Sequence, residues 1–230
     1  MEKEISDLFK SELTKTEFDE ASFTIEYTAA GSSSSQGFII ANGNQKRALL
    51  SFEVNMIINS YFNEVKTDPA KRFNWVELFI RKNEDSLIKY TWSDELYVQD
   101  KLKSAQVFPQ WINERFMAFI YEFEFPNGPT EKDEDGDPLY VSTWDRGIFT
   151  FHINNGKINS DILLYKREHE RHIAIPLPEY FIKAMLEHHE ITNTGILKDK
   201  WKPWNKLVID SPHNSLPYST MADHVFYSNE

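Results

Sequence analysis

The chain has 230 residues, with 36 acidic against 25 basic side chains, a net charge of −11 and no cysteine. Disulfides, thiolate metal sites and cysteine nucleophiles are thereby excluded, and no window approaches the roughly 18 apolar residues that span a bilayer. A hydrophobic content of 40%, with 17 Phe, 10 Tyr and 6 Trp, supplies bulk for one large domain or two smaller lobes.

The charged start, Met1-Glu2-Lys3-Glu4, leads into no apolar run, so no secretory signal is read and a cytoplasmic location is expected. The acidity is uneven. Residues 1–126 carry 14 basic and 20 acidic side chains, residues 127–137 one and five, and residues 138–230 ten and 11. Such a first half repels nucleic acid phosphates and steers a basic protein partner.

Along the chain, Ile5, Leu8, Phe9 and Leu13 recur at helical spacing within 4–15. Phe23, Ile25 and Tyr27 alternate with polar residues and predict a strand. Residues 29–36 read as a polar loop, without the Gly-Lys-Ser/Thr ending of a phosphate-binding loop. Two short strands, 37–41 and 46–50, flank an Asn42-Gly43 turn. Ser51 is a candidate cap for a helix whose apolar face is Val54, Ile57, Ile58, Tyr61, Phe62 and Val65, stopped by Asp68-Pro69. Strands 75–81 and 87–92 form a hairpin, and Ser93 caps a short helix with Asp94 and Glu95 in its first turn. A helix from Gln110 is followed by a strand over 118–125, where Phe119, Tyr121, Phe123 and Phe125 alternate.

Residues 126–138 are rich in Pro, Gly and acid and read as a linker. An EF-hand reading would set Glu131, Asp133, Asp135 and Asp137 in early ligand positions. It fails at position 12, where Ser142 replaces the bidentate Glu, so a solvated acidic loop is expected. Beyond it, strands 148–153 and 158–165 flank Asn155-Gly156, a strong hairpin signal. Strand 172–175, a helix over 179–191 entered through Pro178, and strand 204–209 complete the order.

Both halves thus read strand-strand-strand-helix-strand. Trp75, Leu78, Ile80, Ser86 and Leu87 match Trp204, Leu207, Ile209, Ser215 and Leu216 at the same spacings, with Tyr90 and Tyr218 close behind. The expected fold is α+β: two similar lobes, each an antiparallel sheet packed with helices. The expected division is 1–126, an acidic linker 127–138, and 139–230, an internal duplication.

No motif names a reaction. His169-Glu170-Arg171-His172 departs from the His-Glu-x-x-His zinc pattern, and adjacent His188 and His189 diverge by about 100° on a helix. With 36 acids, no carboxylate pair is informative, and no Gly-x-Ser-x-Gly elbow exists. Trp111, Trp144, Trp201 and Trp204 read as core or lobe-interface residues. No catalytic, cofactor-binding or metal-binding residue is assigned.

The layout of helix, meandering strands, amphipathic helix and then Asn74-Trp75-Val76-Glu77-Leu78 resembles the YezG-like family of bacterial immunity proteins. Pro203-Trp204-Asn205-Lys206-Leu207 matches it more loosely. The resemblance implies a small cytoplasmic α+β antitoxin that binds and neutralises a polymorphic toxin, commonly a nuclease, without chemistry of its own. The acidic side chains expected to hold a cognate basic toxin are Glu84, Asp85, Asp94, Glu95, Glu131, Asp133, Glu134, Asp135 and Asp137. Neither nucleic acid nor membrane is expected as a partner. The runner-up reading is a metal-dependent or hydrolytic enzyme that uses the His-rich second half.

Overall fold

A computed structural model describes residues 2–13, 17–29, 31, 33–128, 131–136, 138–139, 144–212 and 224–229. Asp137, Ser215, Leu216 and Tyr218 lie outside the described residues. The chain divides into two compact units, Met1–Lys101 and Leu102–Glu230. The division falls inside a helix, α3 (Asp94–Glu124), whereas the break expected at 127–138 lies within the second unit.

The first unit contains α1 (Glu2–Leu13), β1 (Glu20–Tyr27), β2 (Ser33–Ala41), β3 (Asn44–Ala48), α2 (Phe52–Val65), β4 (Trp75–Arg81) and β5 (Leu87–Thr91). Its antiparallel sheet has the order β3-β2-β1-β4-β5. The turn expected at Asn42-Gly43 is present, both residues having positive φ. Residues 33–36, read as loop, belong to β2, where Gln36 faces Thr24. Ser51 Oγ accepts from Val54 N–H at 3.2 Å and starts α2. Val54, Ile58, Phe62 and Val65 turn inward from that helix onto Phe23, Ile25, Val76 and Leu78. Each buried side chain of this kind contributes about 1.5–3 kcal/mol.

The second unit has the short hairpin β6 (Glu131–Lys132) and β7 (Pro138–Leu139), then β8 (Arg146–Asn154), β9 (Lys157–Lys166), β10 (His169–Ile173), α4 (Glu179–Asn193), β11 (Lys206–Pro212) and β12 (Val225–Ser228). Its main sheet has the order β10-β9-β8-β11-β12, the same permutation as the first. The Asn155-Gly156 turn has φ values of 50° and 72°. The strand expected over 118–125 is instead helix, the C-terminal part of α3. Ile112, Phe116, Phe119 and Ile120 are its buried apolar residues, and that spacing is helical; Phe123, on the would-be strand face, is 52% exposed. The short helix expected after Ser93 is likewise this one of 31 residues, with Ser93 Oγ accepting from Leu96 N–H.

The repeated order therefore extends beyond what the sequence predicts, to helix-strand-strand-strand-helix-strand-strand in each unit, with the β6–β7 hairpin inserted after the helix of the second. The tryptophan match that suggested it is out of register by two. Asn74 accepts from Tyr27 N–H and donates its own N–H to the Thr91 carbonyl; Asn205 does the same with Ile153 and Ser228. Asn74 and Asn205 are counterparts, so Trp204 matches Phe73, and Trp75 matches Lys206. Phe73 and Trp204 are each 1% exposed, while Trp75 points to the open face of its sheet.

Around that matched position the packing repeats. Phe73–Tyr90 and Trp204–Tyr227 ring centroids are 4.8 and 4.9 Å apart, and Tyr61–Phe73 and His188–Trp204 are both 5.6 Å apart. Phe62 and His189 complete the two sets against Phe73 and Trp204. Among the described residues, no helix is long and apolar enough to cross a membrane.

Candidate functional site

With the two units aligned through these rings, α2 and α4 can be compared position by position. Val54, Ile58 and Tyr61 match Phe181, Met185 and His188, so Phe52 and Met56 match Glu179 and Lys183. Phe52 is 73% exposed, Met56 50%, and Leu49, just before the helix, 82%. Phe52 and Met56 are one turn apart on the outer face of α2. The fold does not require apolar side chains there, because the second unit builds the same helix with a carboxylate and an ammonium. Isolated exposed apolar residues are ordinary, but a cluster of large ones on one helical face marks an interaction surface.

Within the first unit, the acidic residues expected to hold a partner are not brought together. β5 runs from the Glu84-Asp85 turn to the segment before Asp94 and Glu95, so the two pairs lie at opposite ends of one strand. Asp85 is engaged by Lys10 Nζ at 2.8 Å, and the hydrogen bond and charge of that ammonium lower its pKa. Asp94 Oδ1 accepts from Trp92 Nε1 at 2.8 Å. Glu95 accepts from Gln99. Glu131, Asp133, Glu134 and Asp135 belong to the second unit, in and after β6, and Asp133 Oδ1 caps its own turn by accepting from Asp135 N–H.

The histidines also separate. His172 Nδ1 lies 3.0 Å from Asp161 Oδ1, both exposed, on β10 and β9. His188 Nε2 lies 3.0 Å from Tyr227 Oη on β12. β10 and β12 are the two edges of the sheet, four strand spacings or ~19 Å apart. Burial, and secondarily His189, push the His188 pKa down to about 3, and burial raises that of Tyr227. The pair is a neutral imidazole bonded to a neutral phenol inside a ring of Phe108, Trp201 and Trp204. Among the described residues, no three His, Asp or Glu side chains are grouped to hold a metal ion.

One concavity was not foreseen from sequence. At the end of the first sheet where β1 and β5 finish and β4 begins, a cleft of about 270 Å³ is lined by Lys66, Arg72, Trp92, Tyr97, Asp100 and Lys101, with Tyr27 and Asn74 among its walls. The Asn74 amide is committed: its Nδ2 donates to the Ser93 carbonyl and its Oδ1 accepts from Ser93 N–H. These bonds fix the start of β4 against the start of α3. The signal in sequence was slight, because the three cations come from three separate segments.

A scan against protein-family models and a search of curated proteins return no match to this chain.

Proposed function

We propose that the chain is a non-catalytic binding protein of the immunity class, which grips a basic toxin domain through its first unit. The observation that carries this reading is the exposed set Leu49, Phe52 and Met56, apolar where the duplicate helix has Glu179 and Lys183 at the two helical positions. Large apolar side chains that the fold does not need are the anchors an interface uses. The excess of acid over base in residues 1–126 supports a basic partner through steering, which raises the association rate more than the final affinity. Glu84, Asp85, Asp94 and Glu95 then act as a field around the anchor rather than as one contact patch. A hydrolytic reading has less support, since His169 and His172 lie on the edge strand β10 while His188, on α4, bonds Tyr227 of the opposite edge strand.

The test is co-expression with the product of the adjacent gene. A complex that survives purification, protects the host and loosens as salt rises supports the reading. Failure to obtain either complex or protection removes it.

A further inference from the structure

The cleft of the first unit collects Lys66, Arg72 and Lys101 around about 270 Å³. Among the described residues none of the three is paired with a carboxylate, although the chain carries 36 acids. Aromatic faces stand in for counter-anions. The Arg72 guanidinium lies 4.0 Å over Trp92, the Trp92 and Tyr97 rings are 5.2 Å apart, and Lys101 Nζ is 5.5 Å from the Tyr97 ring. Lys66 Nζ donates to the neutral Asn63 Oδ1 at 3.0 Å. Asp100, the one carboxylate in the lining, accepts from Ala29 N–H at 2.9 Å.

The second unit again serves as the control. Aligned through Tyr61/His188 and Phe73/Trp204, Lys66 corresponds to Asn193 and Arg72 to Pro203. Asn193 spends its amide on the backbone of Trp204, donating to its carbonyl and accepting from its N–H. The matched framework folds there without these two cations, so their convergence in the first unit is not a requirement of the topology.

We propose that this cleft binds a small phosphomonoester with a flat organic group, of the nucleoside monophosphate class. Charge decides between the oxyanions: three cations and one carboxylate leave two net positive charges, which a phosphomonoester of about −1.5 to −2 balances and a single carboxylate does not. A guanidinium stacked on an indole still directs its N–H edge at a bidentate oxyanion. Trp92 and Tyr97, beside the cations they carry, offer their remaining aromatic surface to the flat group, and the volume, near the lower end of ligand sites, admits one small molecule.

Calorimetric titration of the full chain with adenosine monophosphate, inorganic phosphate and adenosine tests this. The monophosphate is expected to bind at least tenfold more tightly than either fragment, and Arg72→Ala and Lys101→Ala each to weaken it at least tenfold with an unchanged circular dichroism spectrum. Equal binding of either fragment, no binding of the monophosphate at millimolar concentration, or affinity indifferent to both substitutions would overturn the proposal. Toxin capture by the same variants is expected to persist, so this result and the partner reading stand or fall separately.

Discussion

His188 and Tyr227 hold in the second unit the places that Tyr61 and Tyr90 hold in the first, and they exchange a 3.0 Å hydrogen bond between buried neutral groups. Where the first unit has two phenols, the second has a phenol and an imidazole, which titrates nearer neutrality. The consequence is acid sensitivity. The unfolded chain protonates this imidazole near pH 6.5, while the folded chain resists until about 3. The depressed pKa therefore costs nothing above the unfolded value, and stability drains as pH falls through that window, by about 1.4 kcal/mol per pH unit. Urea denaturation at pH 7.5 and 5 is expected to find the wild type losing about 2 kcal/mol more than His188→Phe over that interval. Equal losses would mean the imidazole is already charged in the folded state.

The register of the repeat makes a second prediction. Phe73, not Trp75, occupies the place of Trp204. Phe73→Ala and Trp204→Ala are each expected to cost about 3–5 kcal/mol, as large core truncations do. Trp75→Ala, on the open face, should cost under about 1.5 kcal/mol. Thermal or urea unfolding of the three variants separates these cases, and the reverse ranking for Phe73 and Trp75 would restore the tryptophan match.

Gly37 sits directly opposite Phe23 in the β1–β2 ladder. A Cβ there would lie 2.0 Å from the Phe23 Cδ1 atom, so the ring covers the bare glycine and an added methyl group must displace a core side chain. Gly37→Ala is expected to destabilise the chain by about 1–3 kcal/mol, measured as a lower urea midpoint with an unchanged slope.

For the partner surface, the duplicate suggests the substitution. Phe52→Glu with Met56→Lys installs on α2 the residues that α4 already carries at those positions. Because the native side chains are 73% and 50% exposed, stability should change by less than about 0.5 kcal/mol, while affinity for the proposed toxin partner should fall by at least tenfold. Retained affinity would move the anchor elsewhere on the first unit.

Much of the architecture was legible because it is local. The α2 apolar face, the Ser51 cap and the Asn42-Gly43 and Asn155-Gly156 turns each follow from a few neighbouring residues, and each is present. Two misreadings have physical causes. The Phe119, Tyr121, Phe123, Phe125 alternation imitates a strand, yet the buried set 112, 116, 119 and 120 obeys the helical period and prevails. The repeat was aligned on residue identity, whereas the backbone hydrogen bonds of Asn74 and Asn205 define it, two positions away. The cleft escaped notice because Lys66 at the end of α2, Arg72 in the α2–β4 connection and Lys101 in α3 converge only through topology.

Finally, the seam between the two units has a practical meaning. It falls between Lys101 and Leu102, in the midst of α3, where each amide is tied to a carbonyl one turn away. A protease meets no exposed loop at that point, and a fragment cut there would leave four carbonyls at the severed end without intrahelical donors. Anyone wishing to express either half alone should carry the entire helix with it.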